Sequence, residues 1–198
     1  MIAKKMRKRI YGKGRGAVFT PADFLDLGPR TSVDQTLSRL TDKGIIRRLS
    51  QGIYDYPKQH PRLGGLSPDP DLIAQALARR GGNVLQVAPA RAANTLGLTT
   101  QVPAKTIYLT DGTPCTRQIG QQTIHLKKAG AKMLVGAGTI SGMVFQALRY
   151  VGKDHADDQV INQIGRLLND VDKTDLVQQS IKAPGWMRPL ASRIAQVT

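Results

Sequence analysis

Residues 32–43 constrain the fold most: Val33, Leu37 and Leu40 recur at i, i+4 and i+7, and every other position in the segment is polar. That spacing predicts a helix with one apolar stripe and a wet opposite side. Gly44 ends it, and Ile45–Leu49 and Ile53–Tyr56 around Ser50-Gln51-Gly52 read as two short strands and a turn. Upstream, Thr20-Pro21 suits an N-cap and first helical position, Phe24, Leu25 and Leu27 give an apolar side, and Gly28 is a stop. Ser32 with Gln35 three residues later predicts a capping box at the start of the next helix. Earlier still, Ile2, Met6 and Ile10 form a stripe among Lys4, Lys5, Arg7, Lys8 and Arg9, followed by a glycine-rich joint and the extended piece Ala17-Val18-Phe19. Helix, helix, helix and hairpin in this order predict a winged helix-turn-helix over residues 1–60.

Beyond Tyr56 the pattern changes. Residues 57–70 carry four prolines and a glycine pair without periodicity, so residues 61–68 are expected to link the first domain to a second spanning 69–198. There, Asp69-Pro70 opens a helix through Arg80, strands are expected near 83–87, 106–110, 116–119 and 123–127, and a short helix over 91–96. Further helices are expected at about 139–151, 157–170, 173–182 and 189–197. The predicted class is α+β, a winged helix followed by a mixed α/β domain that ends in helices.

Charge indicates the kind of partner. The formal net charge is +15, and residues 1–60 hold 13 Lys and Arg against five Asp, while residues 61–198 hold 16 against nine. A polyanion is the natural partner of such a chain, and the excess is densest at the N-terminus. All the acids are Asp, since the chain contains no Glu. Cys115 is the only cysteine, which excludes an internal disulfide and suits a reducing cytoplasm. No apolar run reaches the ~20 residues of a membrane span, and the basic start leads into glycines rather than an apolar stretch, unlike a secretory signal. The expected location is cytoplasmic and nucleoid-associated, with no membrane partner.

The major groove of duplex DNA admits one helix and displays base edges to it. On residues 32–43 the side away from the stripe offers Ser32, Gln35, Thr36, Arg39 and Lys43, with Arg30 and Thr31 just before. Gln pairs with adenine and Arg with guanine in bidentate fashion, and Ser or Thr reaches phosphate. Lys4, Arg7, Lys8, Lys13 and Arg15 before this helix, and Arg47, Arg48 and Gln51 in the hairpin, are the expected phosphate contacts.

The runs Gly16-Ala-Val-Phe-Thr-Pro-Ala-Asp-Phe24, Ser32-Val-Asp-Gln-Thr-Leu-Ser-Arg-Leu40 and Lys43-Gly-Ile-Ile-Arg-Arg-Leu-Ser-Gln-Gly-Ile-Tyr54 resemble the N-terminal winged helix of AbiEi-type antitoxins of bacterial type IV toxin–antitoxin systems, which act in phage defence. Pro89-Ala-Arg-Ala-Ala-Asn-Thr-Leu-Gly-Leu98, Gln101-Val-Pro103 and Tyr108-Leu-Thr-Asp-Gly112 are similar, more loosely, to the C-terminal domain of relatives with that architecture. The resemblance implies a repressor that binds the operator upstream of its own gene and an antitoxin that counters a nucleotidyltransferase-like toxin through its second domain. The alternatives are a nucleic-acid-processing enzyme and a winged-helix protein-interaction adaptor.

Other motifs carry less. Gly136-Ala-Gly138-Thr-Ile-Ser-Gly142 departs from the dinucleotide fingerprint, because its third glycine comes one residue late and no acid follows at the required distance; a helix start capped by Thr139 and close packing explain it better. His60, His125 and His155 are too scattered for a metal site, and Asp157, Asp158, Asp170, Asp172 and Asp175 read as helix ends rather than a catalytic cluster. The chain is expected to be neither an enzyme nor a holder of a cofactor or metal. Trp186, between Gly185 and Met187, is a candidate partner-binding residue if it stands free of the core.

Overall fold

The computed structural model describes residues 2–197. Its elements in chain order are α1 (Ile2–Gly12), β1 (Val18–Phe19), a 3-10 helix (Pro21–Leu27), α2 (Arg30–Asp42), β2 (Arg47–Ser50), β3 (Ile53–Asp55), β4 (Gln59–His60), β5 (Gly64–Gly65) and α3 (Pro70–Gly81). These are followed by β6 (Leu85–Val87), α4 (Pro89–Thr95), β7 (Thr106–Thr110), β8 (Cys115–Ile119), β9 (Gln122–Lys128), α5 (Ile140–Val151), α6 (Asp158–Leu167), α7 (Asp170–Ser180) and α8 (Met187–Ala195). Helices with several small sheets make the class mixed, as the sequence implies. Contacts divide the chain into two compact units, residues 1–83 with 117–124, and residues 84–116 with 125–198. The division falls between Asn83 and Val84, not in the stretch 61–68.

The first unit is built on α2. Its helix starts at Arg30 with Pro29 as N-cap, so Ser32 lies inside the first turn, and the capping box expected of Ser32 and Gln35 does not form. The Pro29 carbonyl, already accepting from Val33 N at 3.1 Å, sets the earlier start. At the other end Gly44 adopts φ +66°, which lets its N–H reach Thr41 O at 2.8 Å and Ile45 N reach Leu40 O at 3.0 Å. This paired closure requires a left-handed residue, and glycine adopts that conformation without a Cβ penalty. Upstream, Asp23 folds back to accept from Thr20 N at 2.7 Å. The following turn is 3-10 rather than α, so Pro21, Phe24 and Leu27 line up at threefold period and Leu25 is left in solvent.

Met6, Ile10, Phe19, Phe24, Val33, Leu37, Leu40, Ile46 and Tyr54 close into one core. Phe19 meets Phe24 edge-on and lies parallel to Tyr54, which settles Tyr54 as a core residue. The sheet order is β1-β3-β2, antiparallel throughout, with Phe19 opposite Tyr54 and Arg48 opposite Tyr54 on the other side. The presumed linker is partly ordered: β4 and β5 pair as a two-residue ladder, and Leu66 N donates to Lys58 O at 2.8 Å.

Helix α3 joins this unit because its last turn is tied to it. Asp69 caps its start by accepting from Asp71 N at 2.8 Å. At its end Arg79 donates to Asp23 and to Val18 O, each at 3.3 Å, and Arg80 donates to Gln51 O at 3.1 Å.

The second unit has its own core, drawn from α4 to α8: Ala92, Ala93, Val144, Phe145, Leu148, Ile161, Ile164, Leu176, Met187 and Ile194 are all buried. Within it β6 pairs antiparallel with β7, with Leu85 opposite Thr110 and Val87 opposite Tyr108. Asp157 accepts from Val160 N at 3.0 Å and Asn169 from Asp172 N at 2.9 Å, so α6 and α7 each start from a side-chain cap. Thr139 likewise caps α5, accepting from Gly142 N at 3.3 Å.

Candidate nucleic-acid interface

The side of α2 turned away from Val33, Leu37 and Leu40 carries Thr31, Asp34, Gln35, Ser38, Arg39, Asp42 and Lys43, all exposed. Ser32 is half-buried. Thr36 does not belong to this face: it is 7% exposed, and its hydroxyl donates to Ser32 O at 2.8 Å. Its place four residues below Leu40 and three above Val33 turns it into the core, which a reading of polar residues alone overlooks.

The basic side chains sort by partner. Arg47 is not available for an outside anion, because it lies opposite Asp55, donates to both its carboxylate oxygens at 3.1 and 2.6 Å, and reaches Leu66 O at 2.7 Å. These hydrogen bonds raise the pKa of its guanidinium further. Arg30 pairs with Asp34 at 2.8 Å along the helix. Arg15 stacks 4.8 Å from the Tyr56 ring and donates to Pro57 O at 3.0 Å. Arg9 grips Asp26 with both terminal nitrogens at 2.6 and 2.7 Å, and this hydrogen bonding holds the Asp26 carboxyl below the usual carboxylate range.

Of Asp23, Asp26, Asp34, Asp42 and Asp55, then, all but Asp42 face an arginine. Lys4, Arg7, Lys8, Lys13, Arg39, Lys43 and Arg48 stay exposed and, among the described residues, pair with no carboxylate. Gln51 is exposed at the hairpin turn. Arg79 and Arg80 lie beyond the predicted first domain and were not expected here. Their position in the last turn of a capped helix, where cations are favoured, is legible in the sequence, but their reach to Asp23, Val18 and Gln51 is not.

The remaining candidates take ordinary structural places. Trp186 is half-buried against the second core and precedes α8, so it docks that helix rather than standing free. Gly142 lies against Gly136 O and close to Gln86 Oε1, so the glycine run closes a tight loop on α5. His60 Nδ1 accepts from Arg62 N and Leu63 N, and His125 Nδ1 meets Thr116 Oγ1 at 3.1 Å. Among the described residues no group of three or more His, Cys or Asp is placed to hold a metal ion. No helix among them is long and apolar enough to cross a membrane.

No curated protein matches the chain. Among solved structures it is similar to the RV2827C protein from Mycobacterium tuberculosis, at 15% identity over 90% of this chain and 71% of that one, with a TM-score of 0.39. A family model matches residues 5–176, and the chain therefore belongs to the family of unknown function DUF6088.

Proposed function

We propose that the first unit is a winged helix-turn-helix and that the protein is a duplex-DNA-binding transcriptional regulator, with α2 entering the major groove and the β2–β3 hairpin as its wing. One observation carries the reading: internal pairing consumes the acids of residues 1–60 apart from Asp42 and leaves exposed cations on α1, α2 and the hairpin unneutralised. Net charge keeps a protein dispersed wherever on its surface it lies, so what favours a polyanion with condensed counterions is the concentration of unneutralised cations on these few elements. Gln35 and Arg39 are the base-reading residues, Thr31 and Lys43 flank them, and Arg7, Lys8 and Arg48 contact phosphates.

The AbiEi-type resemblance extends the proposal to an antitoxin that represses its own operon, with the second unit engaging a nucleotidyltransferase-like toxin. The primary test is a footprint and a salt titration on the DNA upstream of the gene. Protection of a discrete site, with log affinity falling steeply against log salt, is the expected result; a slope near zero removes the reading.

A further inference from the structure

The sequence confines the interface to residues 1–60, yet Arg80 crosses to the hairpin. Its Nη1 donates to Gln51 O at 3.1 Å, and a Cβ added at Gly52 would lie 3.3 Å from the same nitrogen. The guanidinium therefore lies across the turn, exposed, with donors to spare after this one bond. Facing it is a groove of about 440 Å³ between α2 and the hairpin, lined by Arg30, Ser38, Asp42, Arg48 and Arg80 among others. Asp34 is also on its wall but is committed to Arg30. Arg48 is exposed and unpaired among the described residues, and Asp42 is the lining carboxylate that no arginine neutralises.

With Arg30 and Asp34 committed to each other, Arg48 and Arg80 stand against the one uncommitted carboxylate, Asp42, and this excess of positive charge makes the groove an anion site whose walls say which kind. The only aromatic residue there, Tyr54, is buried and stacked on Phe19, so no ring is free to hold a base. Small-molecule sites are lined mostly by apolar and aromatic side chains, whereas charged and hydroxyl side chains dominate the walls of this groove. We propose that it seats a backbone phosphodiester of duplex DNA, held by Arg48 and Arg80, and that Arg80 also positions the hairpin turn. The proposal rests on the DNA-binding reading above. Its chemistry is shared with free phosphate and nucleotides, which the test separates.

The full chain, wild type and carrying Arg80→Ala, Arg80→Lys or Asp42→Asn, is titrated with two duplexes of unrelated sequence at several salt concentrations. Arg80→Ala is expected to weaken both duplexes about tenfold at 0.1 M salt and to lower the salt slope by about 0.9, one phosphate contact. Arg80→Lys should keep the slope, because it keeps the charge. Asp42→Asn should tighten both several-fold, an effect that loosening of the hairpin cannot produce. In parallel, the Gly52 amide resonance should move with duplex and stay put with millimolar inorganic phosphate or a mononucleotide. If wild type binds duplex while Arg80→Ala and Asp42→Asn change neither affinity nor slope, the groove proposal is overturned and the DNA-binding reading stands. Wild type that fails to bind at low salt overturns both. A Gly52 shift with phosphate but not with duplex makes this a small-anion site and also overturns the proposal.

Discussion

Arg47 and Asp55 face each other across the β2–β3 hairpin, and Asp55, at 1% exposure, has both carboxylate oxygens occupied by the one guanidinium. Removing Arg47 strands a buried carboxylate, while removing Asp55 frees the arginine that also holds Leu66 O. Truncating one partner of a buried pair costs ~3–5 kcal/mol. Because the Arg47 side chain is partly in solvent, Asp55→Ala and Arg47→Ala should each cost about 2–3 kcal/mol in urea unfolding. Arg47→Ala should leave the salt slope of DNA binding unchanged in protein that remains folded; a drop of one unit would mean that Arg47 reaches phosphate after all.

If α2 reads bases and α1 holds the backbone, as proposed, the two roles are separable by mutation. Gln35→Ala and Arg39→Ala should each cost about 1–3 kcal/mol at the specific site and barely alter binding to random DNA. Arg7→Ala and Lys8→Ala should weaken both about equally. Thr36→Val, which replaces a buried hydroxyl that bonds only within its helix, should leave discrimination intact. Fluorescence anisotropy with both DNAs at one salt concentration checks all five variants, and equal discrimination in Gln35→Ala, Arg39→Ala and wild type would show that α2 is not the reading helix.

The glycines at 136 and 142 have a packing role. A Cβ on Gly142 would run into the Gly136 carbonyl and lie 2.9 Å from Gln86 Oε1, and backbone cannot yield as a side-chain end can. Gly142→Ala should therefore destabilise the second unit by about 3 kcal/mol or more. At Gly138, φ +81° with open space around it, alanine meets only backbone strain and should cost about 1 kcal/mol. Trp186 fluorescence during guanidinium unfolding distinguishes the two, and equal midpoints would contradict the close approach.

Acid should dissolve the Arg9–Asp26 tie only below the ordinary carboxylate range. Hydrogen bonding to Arg9 lowers the pKa of Asp26 in the folded chain, so whatever the pair contributes is fully present above the ordinary carboxylate range and is lost as pH falls through the depressed folded value. A carboxyl NMR titration should place the Asp26 midpoint below that of an unpaired aspartate, and Arg9→Ala should return it to the ordinary range. An unchanged midpoint in Arg9→Ala would exclude the pairing as the cause.

Local rules determined much of this chain before any tertiary contact is considered. Periodicity in Ile2, Met6 and Ile10 and in Val33, Leu37 and Leu40, stops at Gly44 and Gly82, and caps at Asp69, Thr139 and Asp157 act within a turn or two of themselves, and the helices stand where those signals put them. The order of helices and hairpin and the concentration of positive charge are likewise properties of the linear chain. Partnership is not. Which arginine faces a carboxylate, as Arg47 faces Asp55 and Arg79 faces Asp23 across 56 positions, depends on how distant segments meet. So do the inward turn of Thr36, the docking of Trp186 and the attachment of α3 to the first unit through Arg79 and Arg80. Charge is written in the sequence residue by residue, but whether a charge is free to meet a ligand is decided by the neighbour that folding brings within about 3 Å, the range over which a hydrogen bond forms.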